Sequence, residues 1–150
     1  MTAEPYRDSI FIEAEREVVF DYFTQPESLV QWMGDRAVLD PRPGGEFTLW
    51  FDERCVRGSY VEVDRPHRLV ITWGRLGSRD MPPFSSTLEV TLSAENGGTL
   101  VRIVHSGLPE SEAARHALGW NHYLGRLATL GSGVTPAPHH TPAALTEGVD

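Results

Sequence analysis

The chain has 150 residues, 40% hydrophobic, 23% charged and 9% aromatic, the profile of one ordinary domain that buries a core without staples. Cys55 is the only cysteine, which excludes a disulfide framework and a multi-cysteine zinc site and fits a reducing compartment. The 13 basic residues against 21 acidic ones are all Arg; a formal charge of -8 argues against nucleic acid, and the lack of Lys removes Schiff-base chemistry and lysine-dependent phosphate loops.

Met1 to Pro5 carries no basic start followed by an apolar h-region, and no apolar run approaches the roughly 20 residues of a membrane span. The expected address is the cytoplasm. From Arg7 to Glu13, Ile10 and Ile12 alternate with Ser9 and Phe11 as in a strand. Glu15 to Thr24 then places Val18, Val19, Tyr22 and Phe23 at helical spacing, with Glu15 and Glu17 in the first turn. Pro26 opens a second short helix with Leu29, Val30, Trp32 and Met33 on its apolar face, stopped by Gly34.

Strand signals follow. Ala37 to Asp40 leads through Pro41-Arg42-Pro43-Gly44-Gly45 into Glu46 to Phe51, where Phe47, Leu49 and Phe51 share one face. Cys55 to Asp64 opposes Val61 and Val63 to Tyr60 and Glu62, and Arg68 to Gly74 sets Leu69, Ile71 and Trp73 together. After the Gly, Ser and Pro-rich loop 76–83, Phe84 to Ala94 alternates through Leu88, Val90 and Leu92. Asn96-Gly97-Gly98 supplies positive-φ residues for a tight hairpin into Thr99 to Ser106, where Val101, Ile103 and His105 point together. Glu110 to Leu130 is the longest helix, its stripe running through Ala113, Ala117, Trp120, Leu124 and Leu127. Beyond Gly131 no period survives, and 131–150 are expected to form a disordered tail behind a domain at 7–130.

This order, a strand, two short helices, six more strands and one long helix, is an α+β plan. Each strand has one apolar face, so an antiparallel sheet of about seven strands curled around the terminal helix buries both apolar surfaces at once. Such a grip is expected to leave a cavity.

The segments Ala14 to Tyr22, Pro26-Glu27, Trp32 and Pro43-Gly44-Gly45-Glu46-Phe47 resemble the first half of the activator of heat-shock protein 90 ATPase homologue-like family. Gly58 to Val63, Arg68 to Trp73, Gly98-Thr99, His105-Ser106-Gly107 and Gly119-Trp120 continue the resemblance in order. It implies the START-like, or SRPBCC, helix-grip fold. That superfamily includes lipid and sterol carriers, polyketide cyclases and aromatases, hormone receptors and a co-chaperone domain, so the resemblance names a fold and not an activity.

Trp32, Trp73, Phe84, Trp120 and Tyr123 are the aromatics expected around the cavity, although core packing alone would also bury them. His105, on the inward face near the end of the last strand, is the polar anchor expected to reach a ligand oxygen, and His105→Ala is expected to alter selectivity with the fold intact. His116 lies one turn before Trp120 and two before Tyr123, at the expected cavity mouth. Metal binding by His105, His116 and His122 is not expected, because His116 and His122 fall on different helical faces and no Asp or Glu follows either at i+3 or i+4. His139-His140 is too short a tract to alter this. Cys55 lacks any sign of a paired base, Gly44-Gly45 is turn chemistry, and Arg57 and Arg102 are assigned to the solvated face. An arginine pointing inward would instead imply an anionic ligand.

Three functions compete: a carrier or sensor of a hydrophobic or amphipathic small molecule, which the residues favour; a polyketide cyclase or aromatase-like enzyme; and an interaction module for a chaperone or regulator. No cofactor is expected, and the edges of the curled sheet leave room for a homodimer.

Overall fold

The computed structural model describes residues 2–137. In chain order it contains β1 (Tyr6–Ile12), α1 (Arg16–Thr24), α2 (Pro26–Leu29), β2 (Arg36–Leu39), β3 (Glu46–Phe51), β4 (Arg54–Asp64), β5 (Arg68–Trp73), β6 (Ser86–Glu95), β7 (Gly98–Ser106) and α3 (Glu110–Gly131). The strands form one curved antiparallel sheet in the order β1-β7-β6-β5-β4-β3-β2. β1 and β2 are thus neighbours in sequence and opposite edges in space, and α1 and α2 carry the chain between them. With α3, this is the helix-grip architecture expected from the order of elements. The part of the expected tail from 138 onward, with His139 and His140, lies outside the described residues.

Period-2 patterning places the core. Leu69 and Ile71 on β5, Leu88, Val90 and Leu92 on β6, and Val101 and Ile103 on β7 are all buried on the inner face. From the helices come Val19, Phe20, Phe23, Trp120, Leu124 and Leu127. The β6–β7 turn has Asn96 at φ 46° and Gly97 at φ 79°, the left-handed pair a two-residue hairpin needs.

Two expectations fail locally. On β4 the register shifts between Tyr60 and Glu62, so that Tyr60 faces Ile71 while Glu62 faces Val70. Val61 is the extra residue of a β-bulge and its side chain is exposed, whereas Tyr60 has no exposed surface and donates its hydroxyl to the Phe23 carbonyl at 3.0 Å. One inserted residue reverses every inward-outward assignment beyond it. The second correction concerns Phe84. β6 starts at Ser86, and Phe84 sits in the preceding turn at φ 67° and is 56% exposed. Alternation has no meaning across a left-handed residue, so the inward-outward pattern of β6 begins only at Ser86.

Candidate functional site

A cleft of about 100 Å³ opens where the β3–β4 hairpin, the end of β5 and the first half of α3 meet. Met33, Phe51, Val56, Trp73, Trp120 and Tyr123 supply its apolar surface, and Arg54, Arg75, Arg115 and His116 its ionisable groups. The helix contributes so many of these because residues 112, 116, 120 and 123 fall at spacings of four, four and three, one above another on a single face. Trp73 is the last inward position of β5.

Arg75 is brought to the cleft by backbone fit. A Cβ on Gly74 would lie 1.8 Å from the Pro82 carbonyl oxygen, so only glycine lets the returning loop pass this close. The Arg75 amide donates to the Met81 carbonyl at 2.8 Å, and the Leu76 amide to that of Cys55 at 2.9 Å, fixing the turn against β4.

Glu112 is the buried carboxylate of the site, 5% exposed. Its Oε1 and Oε2 lie 3.4 Å from Arg75 Nη1 and Nη2, side by side, and Arg115 Nη1 lies 3.4 and 3.5 Å from the same two oxygens. His116 Nδ1 is 3.0 Å from the Glu112 carbonyl oxygen. That oxygen only accepts, so Nδ1 carries the proton and the neutral ring keeps its lone pair on Nε2. Burial lowers the His116 pKa and the Arg75 and Arg115 charges push the same way, against the carbonyl bond and the Glu112 carboxylate.

His105 lies behind this wall with no exposed surface. The Trp120 indole donates to its Nδ1 at 3.0 Å, and its Nε2 is 2.8 Å from Ser86 Oγ. An indole nitrogen can only donate, so Nδ1 is the acceptor and Nε2–H donates to Ser86, whose hydroxyl passes on to the Trp73 carbonyl at 2.6 Å. Burial pulls the His105 pKa down to about 3, with His116 as the second cause. A ring with both nitrogens engaged and no exposed surface ties Trp120 to Ser86.

Of the residues singled out from sequence, Trp73, His116, Trp120 and Tyr123 line the cleft. Trp73 and Trp120 have ring centroids 5.6 Å apart. Trp32 does not line it: its indole donates to the Tyr22 carbonyl at 2.9 Å, its ring edge meets Phe23, and it is wholly buried. Phe84 is on the outside and His105 behind the wall. Arg57 and Arg102 are exposed as expected, but Arg54, Arg75 and Arg115 turn toward the cleft. Glu112 had a readable signal, since it stands four residues before His116 on the apolar stripe. Arg75 had none, because its position depends on how the loop after β5 returns. Among the described residues no three His, Cys, Asp or Glu side chains group to hold a metal, and no helix is long and apolar enough to cross a membrane.

The sequence pattern described as "Activator of Hsp90 ATPase homolog 1-like protein" matches residues 13–131. The chain belongs to the AHSA1 family. An AHSA1-like protein of Rhizobium etli is 38% identical over 95% of this chain and 99% of its own, with a TM-score of 0.70. CalU16 of Micromonospora echinospora is 28% identical over 89% of this chain and 76% of its own, with a TM-score of 0.69. DynU16, from the dynemicin biosynthetic locus, is 25% identical with a TM-score of 0.75 over 89% of this chain; the AHSA1 chain spans about half, 49%, of DynU16. Among curated proteins none matches the chain.

Proposed function

We propose that this AHSA1 domain is a small-molecule binding protein whose cleft takes a compact amphipathic ligand, apolar body inward and polar edge toward the arginines. The observation that carries this reading is the composition of the cleft, an aromatic and aliphatic lining with a few ionisable groups, of which Arg75, Arg115 and His116 gather at Glu112. A few polar groups in an apolar lining are how small-molecule sites fix orientation. Size narrows the ligand. A volume of about 100 Å³ is on the scale of one ring, since a dry apolar cavity of about 150 Å³ admits benzene. The interior beneath the sheet holds Trp32, Tyr60, Phe20, Leu69 and Met81, all essentially unexposed, so a steroid or lipid chain is disfavoured.

A second, catalytic reading has one observation in its favour: neutral His116, oriented through Nδ1, presents a base in a cleft with guanidinium groups. CalU16 and DynU16 add fold similarity to it, not a reaction.

The test is native mass spectrometry of protein purified without added ligand, followed by incubation with single-ring amphiphiles. Wild type is expected to carry or take up one such molecule. Val56→Phe, which sets a ring into the cleft, is expected to lose it while unfolding at a similar temperature. Equal uptake by the variant would move binding elsewhere, and failure of wild type to bind would end the proposal. Recovery of the ligand unchanged supports binding alone; conversion that His116→Gln abolishes supports catalysis.

A further inference from the structure

The chain is acidic overall, with a formal charge of -8, yet the ionisable groups at the cleft are dominated by arginine. Arg75 and Arg115 share the one carboxylate of Glu112, and their side chains are only 13% and 18% exposed. The contacts of Arg75 and Arg115 with the Glu112 carboxylate are 3.4 to 3.5 Å, beyond the roughly 2.7–2.9 Å of a tight guanidinium–carboxylate pair. Arg54 is close enough to feel both: burial lowers its pKa, Arg75 and Arg115 lower it further, and Tyr123 and Asp52 act in the opposite direction. With His116 neutral, the described groups of this patch carry three positive charges, on Arg54, Arg75 and Arg115, against two negative ones, on Glu112 and Asp52.

Partly desolvated guanidiniums beside an apolar wall are a strong carboxylate receptor, because the planar fork offers two parallel N–H donors in a medium that screens charge weakly. Building on the small-molecule reading above, we infer that the ligand is an aromatic carboxylate, its ring against Trp73 and Trp120 and its carboxylate on Arg75, Arg115 and Arg54. Glu112 holds the first two guanidiniums in place before the ligand arrives. Glu112 spans both guanidiniums, so one buried carboxylate preorganises the site for a second.

The probe is benzoate, compared with benzamide, its uncharged counterpart of nearly equal shape. Binding is followed through the four tryptophan indole N–H signals in ¹H–¹⁵N NMR. The signals of Trp73 and Trp120 are expected to move, while those of Trp32, in the core, and Trp50, under Arg36, serve as internal controls. Benzoate is expected to bind at least about tenfold more tightly than benzamide, the scale of one charge-assisted hydrogen bond. Arg115→Gln and Arg54→Gln are each expected to remove most of that preference, weakening benzoate far more than benzamide. The wild-type ratio stands as a test even if a variant fails to fold. Equal binding of the two probes at Trp73 and Trp120 would overturn the carboxylate inference and leave the small-molecule reading standing. Binding of neither, or shifts away from these two indoles, would overturn both.

Discussion

His105 ends the inward row Val101, Ile103, His105 of β7, and every chemical property it has follows from that burial. Water cannot reach it, the charged form is expelled, and its two nitrogens are taken by Trp120 and Ser86. Strand parity identifies it as inward but cannot tell inward-toward-a-ligand from inward-toward-a-partner side chain. The consequence for His105→Ala is an expected cost in stability. Truncation leaves the Trp120 indole N–H without its acceptor and opens a void, so the variant should lose about 2–4 kcal/mol of stability. Urea denaturation checks this; a variant as stable as wild type with altered ligand preference would support the anchor role.

At the scale of elements, α3 was the most legible. Its period of 3.6 located Trp120, Leu124 and Leu127 on the buried face, and the same face carries Glu112 and His116 toward the cleft. β4 was the least legible, because a bulge adds a residue without leaving a signal in the alternation of Tyr60, Val61, Glu62 and Val63. The β5–β6 connection shows the same limit. Its loop composition is plain, but the approach of Gly74 to the Pro82 carbonyl that aims Arg75 is a contact between distant backbone atoms. Gly74→Ala must push the loop away, and a loss of about 2 kcal/mol should lower the melting temperature by roughly 4–8 °C. Benzoate binding should weaken in the same variant. A melting temperature within a degree of wild type would mean that the loop does not hold Arg75.

For the molecule as a whole, the two neutral histidines make stability depend on pH in a defined direction. Unfolded, each titrates near its ordinary value of about 6.5; folded, both are held lower, His105 at about 3. Above about pH 6.5 neither state binds the proton and the full stability is present. Below it the unfolded chain gains protons the fold refuses, so stability falls with pH, and for His105 the fall continues toward pH 3. Each histidine adds a slope of about 1.4 kcal/mol per pH unit, while carboxylates contribute little above about pH 5. Chemical denaturation at pH 7 and pH 5 should therefore differ by about 2–4 kcal/mol. Equal stabilities at the two values would contradict the buried, neutral assignment.

The order and type of elements, the seven-strand sheet with its terminal helix, and the residues of the core followed from the sequence by itself, because apolar period is a local property that burial imposes on every strand and helix. The family followed too, since its motifs stand in order along the chain. Tertiary structure alone decided that a cleft opens between the β3–β4 hairpin, the end of β5 and α3, that Arg54, Arg75 and Arg115 line it, and that the last two meet Glu112 there. Charge carries no period: a hairpin end, a loop and a helix converge on the cleft from positions up to 61 residues apart in sequence, and only packing brings their side chains to one cleft.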